Sequence, residues 1–505
     1  MGWKGLAFVR LLVLINSAVF SFASFGAASG AIPADPDAIY GGSILWDDHY
    51  GLDDPVARAR ADFVKAVGFP SLRNGCDWAV VERTRGTYDW PNYDRKLNWV
   101  HSLGVKTVLV VGTAPEWATD SPAEARKILE DRNQSNLIGC LPILDEYWPD
   151  YERYLRAAVT RYRDIVDYYE IWNEPDGMAG PHVIRDHNGK VLDVQYGGDP
   201  KWYAELLKHS YPIIKELDPT ALVAAGSMES KGGLQTDFAE GIYKHGGQPY
   251  FDVISIHSYG FPFNFDWLRT IRGVMMRNGN AHKPMWITEY ALNWQHVSED
   301  AKAALTRSAL RYLRETPWLS LSCFHLANIM WVQGERPDDI SPRPMADAYR
   351  KMTQEKGPRA KFADGFERSA CEWYYHEHDP KAELTTENIH SGKSALTAAG
   401  DRPVTFFGSA YVASPRVLEL WYHLDPDDPD AKITLEAALY PGDIGYRPVW
   451  FTVDAGPATG EWTHASVDLA KAAPQLAGKT IVDIGLRAQA DKGSITFTID
   501  DVVVK

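Results

Sequence analysis

Cysteine, positive charge and long apolar runs are all scarce in this chain. Only four cysteines occur in 505 residues, Cys76, Cys140, Cys323 and Cys371. That is no disulfide framework, and their spacing is not that of a metal-binding cluster. A Cys76–Cys140 bridge is open, because both fall in segments assigned to one barrel face, but buried free thiols are the favoured reading. Lys and Arg number 52 against 67 Asp and Glu, a formal net charge of −15. That balance excludes a nucleic-acid binder, whose affinity comes largely from cations at phosphates, and a polybasic membrane contact. Beyond the first 25 residues no apolar run is long enough to span a bilayer. No GxGxxG loop follows the first strand pattern, and no HExxH, P-loop or GxSxG motif has the right context. Nothing therefore calls for a metal, a nucleotide or a serine nucleophile, and no cofactor is required.

What is present is an ordinary folded composition, 45% hydrophobic and 24% charged, with many aromatics, 18 Trp and 25 Tyr. Flat rings suit apolar sugar faces, and equally a large core. The first residues read as a secretory signal peptide, assigned to 1–30, with an uncleaved anchor helix as the alternative. Lys4 and Arg10 precede an apolar stretch from Leu11 to Phe25, followed by small residues. The expected location is secreted or periplasmic, with no membrane contact once the leader is removed.

Strand-like and helix-like segments alternate eight times from residue 38 to about 355, which implies a parallel sheet. Eight units in this length fit a closed (β/α)8 TIM barrel, assigned to 31–357. Two loops after strands are long, 113–149 after the third and 175–200 after the fourth, and suggest a substrate groove. Past residue 358 the pattern changes to period-two alternation with Gly, Pro and Asp turns. This predicts an all-β sandwich over 358–505. Its "FADGFE", "SGKSAL" and "ITFTIDDVVV" resemble a jelly-roll carbohydrate-binding module, and a domain that only packs on the barrel is the alternative. The region's candidate sugar-facing aromatics are Trp373, Tyr374, Tyr375, Tyr446 and Trp450. Its closing "IDD" could help hold a structural Ca2+.

Two acids stand at expected strand ends, Glu174 in "YYEIWNEPDG" and Glu289 in "PMWITEYAL". The fourth and seventh strands face each other across a barrel mouth, so both carboxylates can reach one sugar ring. Glycoside hydrolysis needs such a pair, one protonated to help the leaving oxygen depart and one ionised. Alternation along the sixth strand puts Ser255, His257 and Tyr259 on the face opposite Ile254 and Ile256, hence inward. Arg73, late in the second strand, can reach the same mouth. Arg73 and the Tyr259 hydroxyl would keep Glu289 ionised, leaving Glu174, expected farther from positive charge and near rings, as the acid. Asn173 could donate to a sugar hydroxyl, and Trp331, placed at the end of the eighth strand, could form a sugar floor. Glu116 and Trp117 after the third strand, and Trp294 with His296 after the seventh, could line the groove. A loop salt bridge for Glu116 and plain packing for Trp331 are the blander readings. Glu170, four residues below Glu174, fits a buried structural network, and Glu82 a structural turn.

With these residues in place the sequence resembles the clan A glycoside hydrolases. The resemblance is strongest to glycoside hydrolase family 39 and related secreted exopolysaccharide hydrolases. It rests on Asn-Glu at the fourth strand, "ITEY" at the seventh, Arg, His-x-Tyr and Trp on the second, sixth and eighth, and "WAVVERTRGTYDWPNYDR" after the second. It covers about residues 38 to 355. It implies a retaining mechanism, with Glu174 as acid/base, Glu289 as nucleophile, and Asn173, Arg73, His257, Tyr259 and Trp331 in support. The expected substrate is a β-linked polysaccharide or oligosaccharide, cleaved in endo mode. An exo-acting β-glycosidase such as a β-xylosidase, a transglycosylase and a non-catalytic sugar-binding protein remain open alternatives. No oligomeric state follows from the sequence.

Overall fold

The structure is a computed structural model. It describes residues 40–505 except 44–53, 178–179, 230–233, 260–264, 292–298, 317, 326–329, 334–335, 337, 339, 356, 358–359, 368–372, 375–381, 409 and 443–447. The expected signal peptide, together with Trp294, His296, Cys371, Tyr375 and Tyr446, lies outside the described residues.

Eight parallel strands close into a barrel. In chain order they are Gly41–Ser43, Ser71–Asp77, Lys106–Gly112, Tyr168–Ile171, Leu222–Met228, Val253–Tyr259, Met285–Ala291 and Leu319–Phe324. Each is followed by a helix of the outer ring: Pro55–Val67, Pro91–Ser102, Trp148–Tyr162, Pro200–Leu217, Leu234–Lys244, Phe265–Arg277, Glu299–Glu315 and Pro344–Thr353. Local signals set several of these ends. Asp54 accepts from the backbone N–H of Val56 and Ala57, Pro55 opens the first helix, and Gly68 closes it in the left-handed region. Asp199 caps the fourth helix in the same way.

Period-two alternation sorts the strand residues into two layers. Leu72, Tyr169, Ile171, Ile254, Ile256, Met285 and Ile287 face the helices in one continuous core. Val108, Ala224, Val253, Trp286, Leu321 and Cys323 form a separate apolar plug inside the barrel. Above that plug the inward positions turn polar, and that change of chemistry marks the mouth.

The eighth strand ends at Phe324, short of expectation. Trp331 belongs instead to a short strand, Trp331–Gln333, paired antiparallel with Ile340–Pro342. It is therefore not on a barrel strand, and its side chain lies outside the described set. The long loop after the fourth strand carries a hairpin, His182–Arg185 with Val191–Gln195. Arg132 of the third-strand loop ties down this hairpin, donating to the Val194 carbonyl at 2.7 Å and to Asp193 at 2.6 Å. Arg185 pairs with Asp120 in return. The two long loops thus brace each other.

Antiparallel sheets make up the C-terminal region. One has the order Glu383–Thr385, Ala395–Gly400, Ile495–Val504, Val417–Pro426, Thr463–Asp468, with Phe362–Asp364 also on Ile495–Val504. The other has the order Trp373–Tyr374, Val404–Gly408, Thr480–Ala490, Lys432–Pro441, Val449–Pro457, with Val412–Ala413 also on Thr480–Ala490. Leu418, Leu420, Tyr422 and Leu424 alternate into the core between the sheets. Trp373 is buried in that core and donates to Asp364 at 2.9 Å, so it offers no ring to a sugar. Trp450 packs on the barrel side with the Arg487 guanidinium 4.2 Å over its ring. The outward rings are others: Trp421, stacked with His390 at 3.8 Å, and Trp462 beside them.

No Cys76–Cys140 bridge forms. Both are buried free thiols, as is Cys323. Cys76 points into the helix-side core beneath the Tyr154 hydroxyl, where burial pushes its thiol up to about 12. Such a thiol is inert.

Candidate active site

Glu170 sits on the fourth strand with no solvent exposure. A buried carboxylate needs partners, and it has two. Arg73 Nε donates to one oxygen at 2.7 Å and Ser255 Oγ to the other at 2.5 Å. The same guanidinium reaches upward with its remaining arms, Nη1 to Glu289 Oε1 at 2.6 Å and Nη2 to Asn173 Oδ1 at 2.8 Å. A guanidinium only donates, so the Asn173 carbonyl must face it, and the amide NH2 turns away.

Glu289 is nearly buried, and cationic and donor groups surround it on several sides. Tyr259 donates its hydroxyl to Oε2. His257 Nδ1 lies 3.4 Å and His325 Nδ1 3.5 Å from that oxygen. Burial alone would raise its pKa; His257, Arg73, His325 and the Tyr259 bond outweigh burial and hold it down at about 2.

His257 is fully buried and bridges the two acids, with Nδ1 2.8 Å from Glu174 Oε1. Two carboxylates face Nδ1, so that nitrogen carries the proton. Burial lowers its pKa, but Glu289 and the bond to Glu174 raise it more. Glu174 is thus not as remote from positive charge as the sequence suggested. One oxygen each of Glu174 and Glu289 and a nitrogen of His257 all lie within 4.8 Å of one another.

Regular strand geometry by itself places neither acid. The fourth strand ends at Ile171, and Glu174 stands three residues beyond, at a φ of 44°. In the seventh strand Met285 and Ile287 face the helices, so strict alternation would turn Glu289 outward as well. The register shifts here, with Ile256 opposite Ile287 but His257 opposite Glu289. This bulge re-aims Glu289 into the mouth.

Other expected residues fall elsewhere. Glu116 is exposed and paired with Arg126, the loop salt bridge. Trp117 packs edge-on against Trp78 and Tyr147 and donates to the Glu82 carbonyl at 3.2 Å. Glu82 accepts from Trp78 Nε1 and the Gly86 N–H, both at 2.6 Å, so it braces its turn. His325 went unremarked in the sequence, although Leu321 and Cys323 face inward and predict that position 325 does too. Its Nδ1 also meets Ser43 Oγ at 3.3 Å.

The closing acids of the C-terminal region, read from the sequence as a Ca2+ site, hold hydrogen-bond partners within the fold. Among the described residues, Asp500 clusters with Asp501 and His390. Both Asp500 oxygens already accept backbone N–H groups, from His390, Ser391 and Asp501. Asp501 Oδ2 meets His390 Nδ1 at 3.1 Å.

A closed eight-stranded barrel whose mouth brings two carboxylates together, one held ionised, can protonate and attack on opposite sides of one bond. Residues 171–338 match the family model described as a glycosyl hydrolase catalytic core. The protein is a glycoside hydrolase, and its strand-end residues resemble those of clan A.

Among solved structures the chain is similar to a family 39 glycoside hydrolase from the gut symbiont Bacteroides cellulosilyticus. Identity is 17% and the TM-score 0.46, over 90% of this chain and 81% of that one. It is similar to a family 39 enzyme from Xanthomonas axonopodis pv. citri at 12% identity and a TM-score of 0.44, covering 89% and 94%. It is also similar to a family 30 subfamily 8 xylanase from Clostridium acetobutylicum at 14% and 0.42, covering 92% and 97%.

Proposed function

We propose that the protein is a secreted or periplasmic retaining glycoside hydrolase that cuts inside a β-linked polysaccharide. Glu174 protonates the leaving oxygen while Glu289 attacks the anomeric carbon; water then resolves the glycosyl-enzyme, with Glu174 as base. The observation that carries this reading is the approach of the two carboxylates, whose nearest oxygens lie within 4.8 Å. Retaining pairs stand about 5–5.5 Å apart, and inverting pairs about 6.5–9.5 Å, to admit a water. The pinned, ionised state of Glu289 suits a nucleophile. The Asn173 amide, fixed by Arg73, suits a donor to the sugar 2-hydroxyl. The braced long loops favour a groove and the endo mode.

The test is reducing-end release from a panel of plant and bacterial polysaccharides. Glu174→Ala and Glu289→Ala should each lower turnover about 10²–10⁴-fold. Azide should restore turnover of the Glu289→Ala variant and yield the anomer opposite to the wild-type product. Full activity in both variants rules out this site.

A further inference from the structure

The end of the fifth barrel strand holds the loop that carries Glu174. Three φ values in the two facing segments are positive at non-glycine residues: 69° at Trp172, 44° at Glu174 and 41° at Ser227. Such conformations are costly and persist only when their surroundings over-determine them. Here the surroundings are specific. Ser227 Oγ donates to the Trp172 carbonyl at 3.1 Å and accepts the Glu174 N–H at 3.2 Å, so one hydroxyl pins both sides of the turn. The Ser227 N–H donates in turn to Ser255 Oγ at 2.7 Å. Ser255 Oγ is the group that bonds Glu170, the partner of Arg73, which reaches Glu289.

Two further contacts close the same clamp. Glu229 donates its backbone N–H to Asp176 Oδ1 at 2.9 Å. Its carboxylate rests on Gly177, where an added Cβ would lie 1.9 Å from Glu229 Oε2. Gly226, at a φ of 119°, lets the strand pass close to its neighbour, since a Cβ there would lie 2.4 Å from the Ser255 carbonyl.

We propose that Ser227 is a positioning residue for Glu174, and that a hydrogen-bonded chain through Ser227, Ser255, Glu170 and Arg73 sets the placement of one carboxylate relative to the other. This rests on Glu174 being the acid. Ser227 touches no reacting atom. Its effect is on where the acid stands when the leaving oxygen needs a proton.

The experiment compares kcat/KM, which reports bond cleavage, on two glycosides of the same sugar. One has an alkyl leaving group that needs protonation, the other a dinitrophenyl group that does not. Ser227→Ala removes the hydroxyl at the strained φ, and Ser227→Gly removes it where positive φ costs nothing, so the glycine variant guards against loss of fold. Both should lose about tenfold or more on the alkyl glycoside and less than about twofold on the dinitrophenyl one, because misplacing a catalytic group by about 1 Å can cost about 10²-fold. Equal losses on both substrates, or no loss on either, overturn the clamp. Glu174→Ala is the control. If it shows the leaving-group dependence and the Ser227 variants do not, the clamp alone falls. If it does not, the assignment of Glu174 falls and takes the clamp with it.

Discussion

At the residue scale, Arg73 organises the mouth because a planar fork with donors in fixed directions can hold three acceptors at once. A lysine could satisfy one of Glu170, Glu289 and Asn173, but not all three. The charge it brings, with His257 and His325, gives Glu289 its low pKa, and that shift is also a statement about stability. Folding lowers the group from 4.5 to about 2. The ionised pairs therefore contribute fully above about pH 4.5, and the contribution fades as pH falls toward 2, on the order of 3 kcal/mol in all. Denaturant titrations from about pH 5 to 3 should show the wild type losing stability faster than Glu289→Gln. Parallel curves would mean the carboxylate is not held ionised by its neighbours.

At the element scale, the hairpin His182–Arg185 with Val191–Gln195 matters through its anchorage. Its short strands would be marginal alone, yet Arg132 and the Arg185–Asp120 pair fasten it to the third-strand loop. A wall built this way suits a substrate that extends beyond the cleaved bond. Replacing residues 182–195 by a short glycine turn should lower activity on polymer about tenfold while changing kcat/KM on a small aryl glycoside little, because remote contacts are lost and the reacting centre is not. Equal losses on both would place the hairpin's role in folding rather than in the groove.

At the scale of the whole molecule, the C-terminal sheets are not strung loosely beside the barrel. Tyr411, Ala438, Tyr440 and Val482 belong to the same buried cluster as the barrel's helix layer. Ser308 of the seventh helix donates to Asp483, which has no solvent exposure, and Tyr411 donates to Glu315. Replacing Asp483 by alanine should destabilise the protein by about 1–3 kcal/mol, the cost of leaving buried partners unpaired. Differential scanning calorimetry should show one transition at a lower Tm. Two separated transitions, with only one shifted, would mean the barrel and the sheets unfold independently.

Much of the architecture was legible in the residues. Alternating periods of 3.6 and 2 specify barrel and sheets, because each element has a face to bury and its apolar spacing says which. Inward Ser255, His257 and Tyr259 follow from the same arithmetic, and so does the buried role of Glu170. Where local order breaks, sequence reading stopped. A bulge turns Glu289 inward, and Glu174 stands past its strand end in a turn with positive φ at Trp172 and at Glu174 itself; neither has a pattern of its own, since each exists only because neighbouring strands impose it. His325 and Ser227 were passed over for the same reason: a lone His and a lone Ser acquire meaning from what lies across the barrel. Trp331 was misplaced because an apolar run does not announce where a strand stops. The chain alone thus determined which layers form and which chemistry tops the barrel. Tertiary contact decided the aim of the individual side chains, because a few ångströms of register are set by the partner strand and not by the residue itself.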